Sequence, residues 1–294
     1  MTSNPAQPCI MSPSPAFGRS LACRLRPGVE PAAALRRLRD NFLPDLGIAG
    51  LGEPLVRALG SSIPGLRSFT ALAGGAGPIP ATQLDLWIFV HARDRSELFE
   101  RHESLRRLID PIVAIAEAVD TFLYRDSRDL TGYEDGTENP RDAAADSAAF
   151  ATGGEGFAGS SFATVQRWQH DLTLFAGLPA AQRDEVIGRR FDTNEELAAA
   201  PASAHVKRAA QESFDPPAFV LRRSMPWETP HERGLEFIAF GGTLDKFERL
   251  LRRMAGLEDG IIDALFSFSR PLTGGHYWCP PVAGGRLDLS FIGI

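Results

Sequence analysis

Hydrophobic positions along the chain follow two alternating periods. Residues 20–25 read as a strand. Pro31 then stands at a helix start, with Leu35, Leu38 and Phe42 behind it at helical spacing. Leu86, Ile88 and Val90 alternate with Trp87, Phe89 and His91, which predicts a strand with both faces at least partly buried. A polar helix over residues 95–109 follows, carrying Leu98, Leu105 and Leu108 on one face. The second half repeats the scheme. Residues 161–170 predict a strand, 179–188 a helix and 234–240 another two-faced strand, and Thr243 is placed to cap a helix carrying Leu244, Phe247, Leu251 and Met254. Each half thus reads as strand–helix–strand twice over, the ferredoxin-like order. Phe99-Glu100-Arg101 in the first half has a literal echo in Phe247-Glu248-Arg249 in the second. The pattern predicts an α+β protein: a duplicated ferredoxin-like fold with antiparallel sheets and flanking helices. The joint falls in the Gly/Ala-rich stretch 143–159 and gives halves 20–145 and 146–294. Residues 1–19, rich in Pro and Ser, read as a disordered tail.

Composition narrows the classes. The chain has 294 residues, 44% hydrophobic and 23% charged, the balance of a globular protein with a substantial core. Its net charge is −6, so a partner tracked through a phosphate backbone, such as nucleic acid, is not expected. Cys9, Cys23 and Cys279 are far apart and odd in number, which argues against a disulfide framework or a thiolate metal site. No run of about 18 apolar residues predicts a membrane span. The N-terminus lacks the apolar core of a signal peptide, so a cytoplasmic location is expected.

Four segments could carry chemistry. Asp129-Leu130-Thr131-Gly132-Tyr133-Glu134-Asp135-Gly136-Thr137-Glu138-Asn139-Pro140 is an irregular loop by its Gly, Asn and Pro content. By composition alone it is most simply an exposed acidic turn, yet glycines flanking Asp135 would let backbone approach a large planar ligand. The histidines, at 91, 102, 170, 205, 231 and 276, match no paired metal-binding spacing, and residue types alone do not choose among them. Arg222 and Arg223 end an apolar run. Strand alternation sends their side chains to opposite faces, so one of them can look inward, and a buried Arg needs a partner or a charge to stabilise. The tail Thr273-Gly274-Gly275-His276-Tyr277-Trp278-Cys279 reads mainly as core packing.

Taken together, these segments resemble the dye-decolourising peroxidase family, in its bacterial type B/P subclass. The family's G-x-x-D-G motif stands as Gly132-Tyr133-Glu134-Asp135-Gly136, extended by Thr137-Glu138-Asn139-Pro140. Seventy residues after Asp135, the segment Ala204-His205-Val206-Lys207-Arg208 is similar to the one bearing the proximal haem histidine, and seventeen further Leu221-Arg222-Arg223-Ser224-Met225-Pro226 is similar to the one bearing the distal arginine. Gly188-Arg189-Arg190, Asp192 and Asp263-Ala264-Leu265-Phe266 resemble further family segments, so the likeness runs from about residue 20 to the end. One departure is Ser224, where the subclass often has Asn.

The resemblance implies a haem peroxidase with haem b held mainly by the C-terminal half. His205 would ligate iron, with Asp263 as the carboxylate orienting its ring. Asp135 would move the proton of hydrogen peroxide, Arg222 would stabilise the charge built up as the O–O bond breaks, Arg208 would pair with a haem propionate, and Ser224 would lie near the bound peroxide. Electrons would come singly from aromatic or dye-type donors, with Trp227, Tyr277 and Trp278 as relays to the surface if they are not simply core. An aspartate acid–base group works in mildly acidic solution, so an acidic optimum is expected. Homo-oligomers are common in the family. The chain stops at Phe291-Ile292-Gly293-Ile294, where no tag for packing into a protein compartment is seen. Two rival readings are a haem-binding protein for storage, delivery or iron release with incidental peroxidase activity, and a haem-free ferredoxin-like interaction protein.

Overall fold

The computed structural model describes residues 5–294. In the first half, β1 (Phe17–Leu25), α1 (Pro31–Asn41), β2 (Gly47–Gly52), β3 (Leu86–Ala92), α2 (Arg95–Ile109) and β4 (Val113–Phe122) follow the expected order. Pro31 opens α1, where Glu30 accepts hydrogen bonds from Ala32 N and Ala33 N, and Asp94 caps α2 through Glu97 N. A short helix, α3 (Asp142–Ala149), leads to the second half. There β5 (Ser161–His170), α4 (Ala180–Ile187) and α5 (His205–Arg208) precede a strand in two pieces, β6 (Leu221–Arg222) and β7 (Met225–Glu228). Then come β8 (Arg233–Gly241), α6 (Asp245–Met254) and a last broken strand, β9 (Ser269–Pro271) and β10 (Gly275–Cys279).

The pairings show why the halves are duplicates. The first sheet runs β2-β3-β1-β4, and the second runs β10 and β9, then β5, β8, and finally β6 and β7, all antiparallel. Counting strands within each half, both have the order 2-3-1-4, that of the ferredoxin-like fold. The last strand of each half also pairs with the second strand of the other: Tyr277 and Trp278 of β10 with Gly52 and Leu51 of β2, and Thr121 of β4 with Trp227 of β7. The two sheets therefore close into one ring, which leaves few strand edges open.

Ring closure explains the two-faced strands. In β3, Trp87 and Phe89 point into the ring, where they pack with Ile48, Val165, Phe240 and Tyr277. Leu86, Ile88 and Val90 face outward beneath α1 and α2, against Leu35, Leu38, Leu98 and Leu105. On the other side α6 covers the second sheet with Phe247, Leu250 and Leu251.

Two local expectations are corrected. The segment 1–19 is not a disordered tail over its described part, and its first four residues lie outside the described residues. Pro8–Met11 is helical, with Cys9 and Ile10 buried, and β1 already begins at Phe17. Gln7 is what fastens it: its side chain exchanges two hydrogen bonds of 2.9 Å with the Ala49 backbone and donates to Pro280 O at 3.0 Å. Thr243 does not cap α6, which starts at Asp245 without a side-chain cap and carries Asp245 and Glu248 in its first turn instead. The cysteines are free and buried. Among the described residues, no helix is long and apolar enough to cross a membrane.

Candidate functional site: a cleft over the second sheet

Between the second sheet, α6 and the loop after β4 lies a cleft of about 990 Å³, counted to its open mouth. Leu235, Phe237, Phe247, Leu250, Leu251, Met254, Leu265 and Phe268 form most of its wall. Asp135, His205 and Arg222 converge on it from three separate parts of the chain. Such an apolar chamber with a few converging polar groups is the usual form of a small-molecule or cofactor site.

His205 opens the four-residue α5. Its Nδ1 lies 2.8 Å from Asp263 Oδ2, and Asp263 is completely shielded while the His205 side chain is 25% exposed. Asp263 is itself fixed, because its other oxygen accepts from Leu265 N at 2.8 Å. Burial opposes a charge on His205, but Asp263 outweighs it, so the ring's affinity for a proton is raised above the ordinary value. With Nδ1 engaged, Nε2 is the nitrogen left to face the cleft. Among the described residues no group of three or more His, Cys, Asp or Glu could hold a metal ion. Of the two imidazoles that line the cleft, His170 has both nitrogens engaged, and His205 is the one with a nitrogen left over.

Asp135 sits in a loop shaped by two left-handed glycines. Gly132 (φ +89°) lies against the Phe191 ring, where a Cβ would come within 2.8 Å, and Gly136 has φ +72°. The Asp135 carboxylate accepts from Gly136 N at 2.6 Å. Around it, Tyr133 donates to Asp184 at 2.5 Å, Arg128 holds Gly132 O at 2.7 Å, and Asn194 reaches both Glu134 and Thr137.

Arg222 is tied to that loop through its backbone. Asn139 donates to Arg222 O at 3.0 Å and accepts from Arg222 N at 2.8 Å, replacing a strand neighbour. Arg222 thus turns into the cleft, with a buried Nε that has no hydrogen-bond partner. Arg223 goes the other way and donates to Ile10 O and Met11 O, with burial lowering its pKa. This is the alternation expected of adjacent strand residues.

One expectation needs correction. Arg208 does not line the cleft. Its guanidinium makes two hydrogen bonds to Asp259, at 2.7 and 2.8 Å, and a third to Arg253 O at 2.7 Å near the carbonyl end of α6, where a cation is favoured. Ser224 falls in the break between β6 and β7, where its hydroxyl lies 3.4 Å from Ile238 N, and it lines a smaller polar pocket that Asp135 and Arg222 also line. Trp227, Tyr277 and Trp278 are at most 3% exposed, which fits the simpler reading of them as aromatic core.

Other residues at the site were missed. Gln166, Trp168 and His170 occupy alternate positions of β5 and all face the cleft. Gln166 is fully buried with its Nε2 unpartnered. His170 bridges Asp129 and Ser269. The available signal was the period-two run of polar and aromatic residues on a strand face that should be plain core.

Comparison with known proteins agrees with this geometry. Residues 126–284 match the family model described as Dyp-type peroxidase, C-terminal, a stretch that holds Asp135, His205, Arg222 and Asp263. Proteins called dye-decolorizing peroxidase from Mycolicibacterium paratuberculosis and Mycobacterium tuberculosis are 33% and 32% identical over 74% of this chain, and the match spans 63% and 67% of their own lengths. Among solved structures, the dye-decolorizing protein from V. cholerae superposes with a TM-score of 0.81 at 29% identity, covering 92% of this chain and 96% of that one. A DypB variant from Rhodococcus jostii RHA1, in complex with heme, gives a TM-score of 0.83 at 26% identity, covering 92% and 94%. Family model, sequence and fold agree, and the chain belongs to the Dyp-type peroxidase family.

Proposed function

We propose that the protein is a haem-dependent peroxidase that reduces hydrogen peroxide and takes electrons singly from aromatic or dye-type donors. The observation that carries the proposal is the convergence of Asp135, Arg222 and the Asp263-anchored His205 on one apolar cleft. The residues fit haem. The walls are apolar, one imidazole has its far nitrogen already engaged, and Arg222, whose buried Nε is unpartnered, lines the same cleft. Haem, when bound, supplies the iron at which peroxide is reduced and the capacity to accept electrons one at a time.

The chain supplies the rest. His205 would hold the iron through Nε2. Asp263 keeps that ring in one orientation and increases its electron donation, as carboxylate partners of ligating histidines do. Asp135 can take the proton from the inner oxygen of peroxide and return it to the outer one, so that water departs. Arg222 has no internal partner to release before it stabilises the developing negative charge. The apolar wall excludes bulk water and strengthens both effects.

A protein that only stored or delivered haem would need His205 but neither Asp135 nor Arg222, so their presence favours the enzyme. Asp135→Ala and Arg222→Ala should each leave the haem spectrum in place and slow the reaction with peroxide, by about 10²-fold or more. Unchanged turnover in both variants would remove the roles assigned to these residues. A cytoplasmic location and a homo-oligomeric assembly belong to the same reading, the first in keeping with three free cysteines.

A further inference from the structure

A second groove lies on the outer side of the cleft wall, and the two share His170 and Phe268. The barrier between them is thus one layer of side chains. A continuous chain of polar groups crosses it. Ser269 Oγ, at the groove, is 2.7 Å from His170 Nδ1, and His170 Nε2 is 3.1 Å from Asp129 Oδ2, at the cleft. His170 and Ser269 are 7% and 2% exposed, so these two members are shielded. Asp129 is partly buried, its side chain 17% exposed, which disfavours its charge, yet its bond to His170 and the hydrogen bonds from Thr131 hold its pKa below the ordinary carboxylate value. An electron route runs beside the proton route. Phe266, in the groove, lies 5.3 Å from Trp168 between ring centroids, and Trp168 lines the cleft. The groove's lining carries Arg233 and Arg270 together with Asp171 and Glu232.

We propose that this groove binds a phenolic reductant and that Ser269, His170 and Asp129 carry its proton inward while its electron crosses the wall. The inference rests on the peroxidase reading above. A phenol that loses an electron becomes strongly acidic and must lose its O–H proton. Ser269 accepts that proton as it passes its own to His170, and His170 passes its Nε2 proton to Asp129. For each peroxide, two phenols are each oxidised by one electron to phenoxyl radicals, the O–O bond breaks, and the two protons leave in two waters. Phe266 and Phe268 give the ring an aromatic surface.

The test compares guaiacol, which has an acidic O–H, with its methyl ether veratrole and with ferrocyanide, which donates an electron without a proton. Ser267 is exposed at the groove, so Ser267→Trp fills it without touching the buried chain. In the haem-loaded protein without peroxide, guaiacol binding followed by saturation-transfer NMR should be lost in Ser267→Trp. In turnover, Ser267→Trp should raise KM for guaiacol about tenfold or more. His170→Gln and Ser269→Ala should lower kcat for guaiacol about tenfold or more and reduce its solvent isotope effect, as expected when a proton-transfer group is removed. Ferrocyanide oxidation should stay within twofold in Ser267→Trp and Ser269→Ala. Guaiacol binding that survives Ser267→Trp, or equal losses with guaiacol and ferrocyanide in Ser269→Ala, would overturn the proposal. A parent protein whose haem spectrum does not respond to peroxide would overturn the peroxidase reading, and guaiacol binding would still decide the groove.

Discussion

Asp263→Asn keeps the shape of the group facing His205 but removes the charge that Nδ1 meets at 2.8 Å. We expect haem affinity in this variant to fall about 10–100-fold, the usual loss when a partner of a metal-ligating histidine is removed. Titration of haem into the haem-free protein measures it, and unchanged affinity would mean Asp263 does not orient the ring. At this scale the sequence was informative where a residue's role depends on its own segment. Gly132 and Gly136 mark the bends around Asp135, and adjacency alone separates Arg222 from Arg223. It was uninformative where a distant group captures the side chain. Nothing around Arg208 shows that Asp259, 51 residues later, takes its guanidinium.

Among elements, β10 carries the sharpest conflict between burial and charge. His276 sits between Phe69 and Phe247, at ring distances of 4.9 and 6.4 Å, and neither of its buried nitrogens has a well-formed hydrogen bond. Glu248 is 3.8 Å away and is already bound by Arg67 at 2.8 Å, so it does not stabilise a charged ring. Burial, and next the Arg67 charge, lower the His276 pKa from 6.5 to about 3. The neutral ring is therefore fully compatible with the fold above the unfolded value of 6.5. As pH falls below that value the unfolded chain binds the proton first, and stability declines by about 1.4 kcal/mol per pH unit until the folded ring also titrates. His276→Phe should remove this part of the acid sensitivity, so its melting temperature should gain on the parent's as pH drops from 7 to 4. Parallel melting curves across that range would contradict the assignment.

The helices and two-faced strands were legible because ring closure buries both faces of β3 and β8, and that leaves a plain mark in the hydrophobic pattern. The literal echo between the halves was misleading. Phe99 is 62% exposed on α2, while Phe247 is buried on α6 and faces the cleft. The duplication is carried by strand order and not by those letters. The breaks that split β6 from β7 and β9 from β10 were not legible, because they answer to neighbours far away in sequence.

For the whole molecule, the important feature is that each half completes the other's sheet through β2–β10 and β4–β7. Neither half can lose its seam strands without exposing edges of its partner. The haem-free protein should therefore unfold in denaturant in one transition, with tryptophan fluorescence and far-UV circular dichroism coinciding. Trp87 reports on the first half and Trp168, Trp227 and Trp278 on the second, so independent halves would show as separated curves. The closed ring also explains how the site is assembled: Asp135 comes from the loop that leaves the first sheet, while His205, Arg222 and Asp263 belong to the second half.

The central claim is that His205 holds haem in this cleft and that the bound haem reacts with peroxide. Its most direct test is the absorbance spectrum of the purified, haem-supplemented protein before and after one equivalent of hydrogen peroxide, with His205→Ala alongside. The expected result is a Soret band that shifts on adding peroxide in the parent and is lost or strongly altered in His205→Ala. A parent protein with no Soret band after supplementation, or one whose band is indifferent to both peroxide and the substitution, would contradict it.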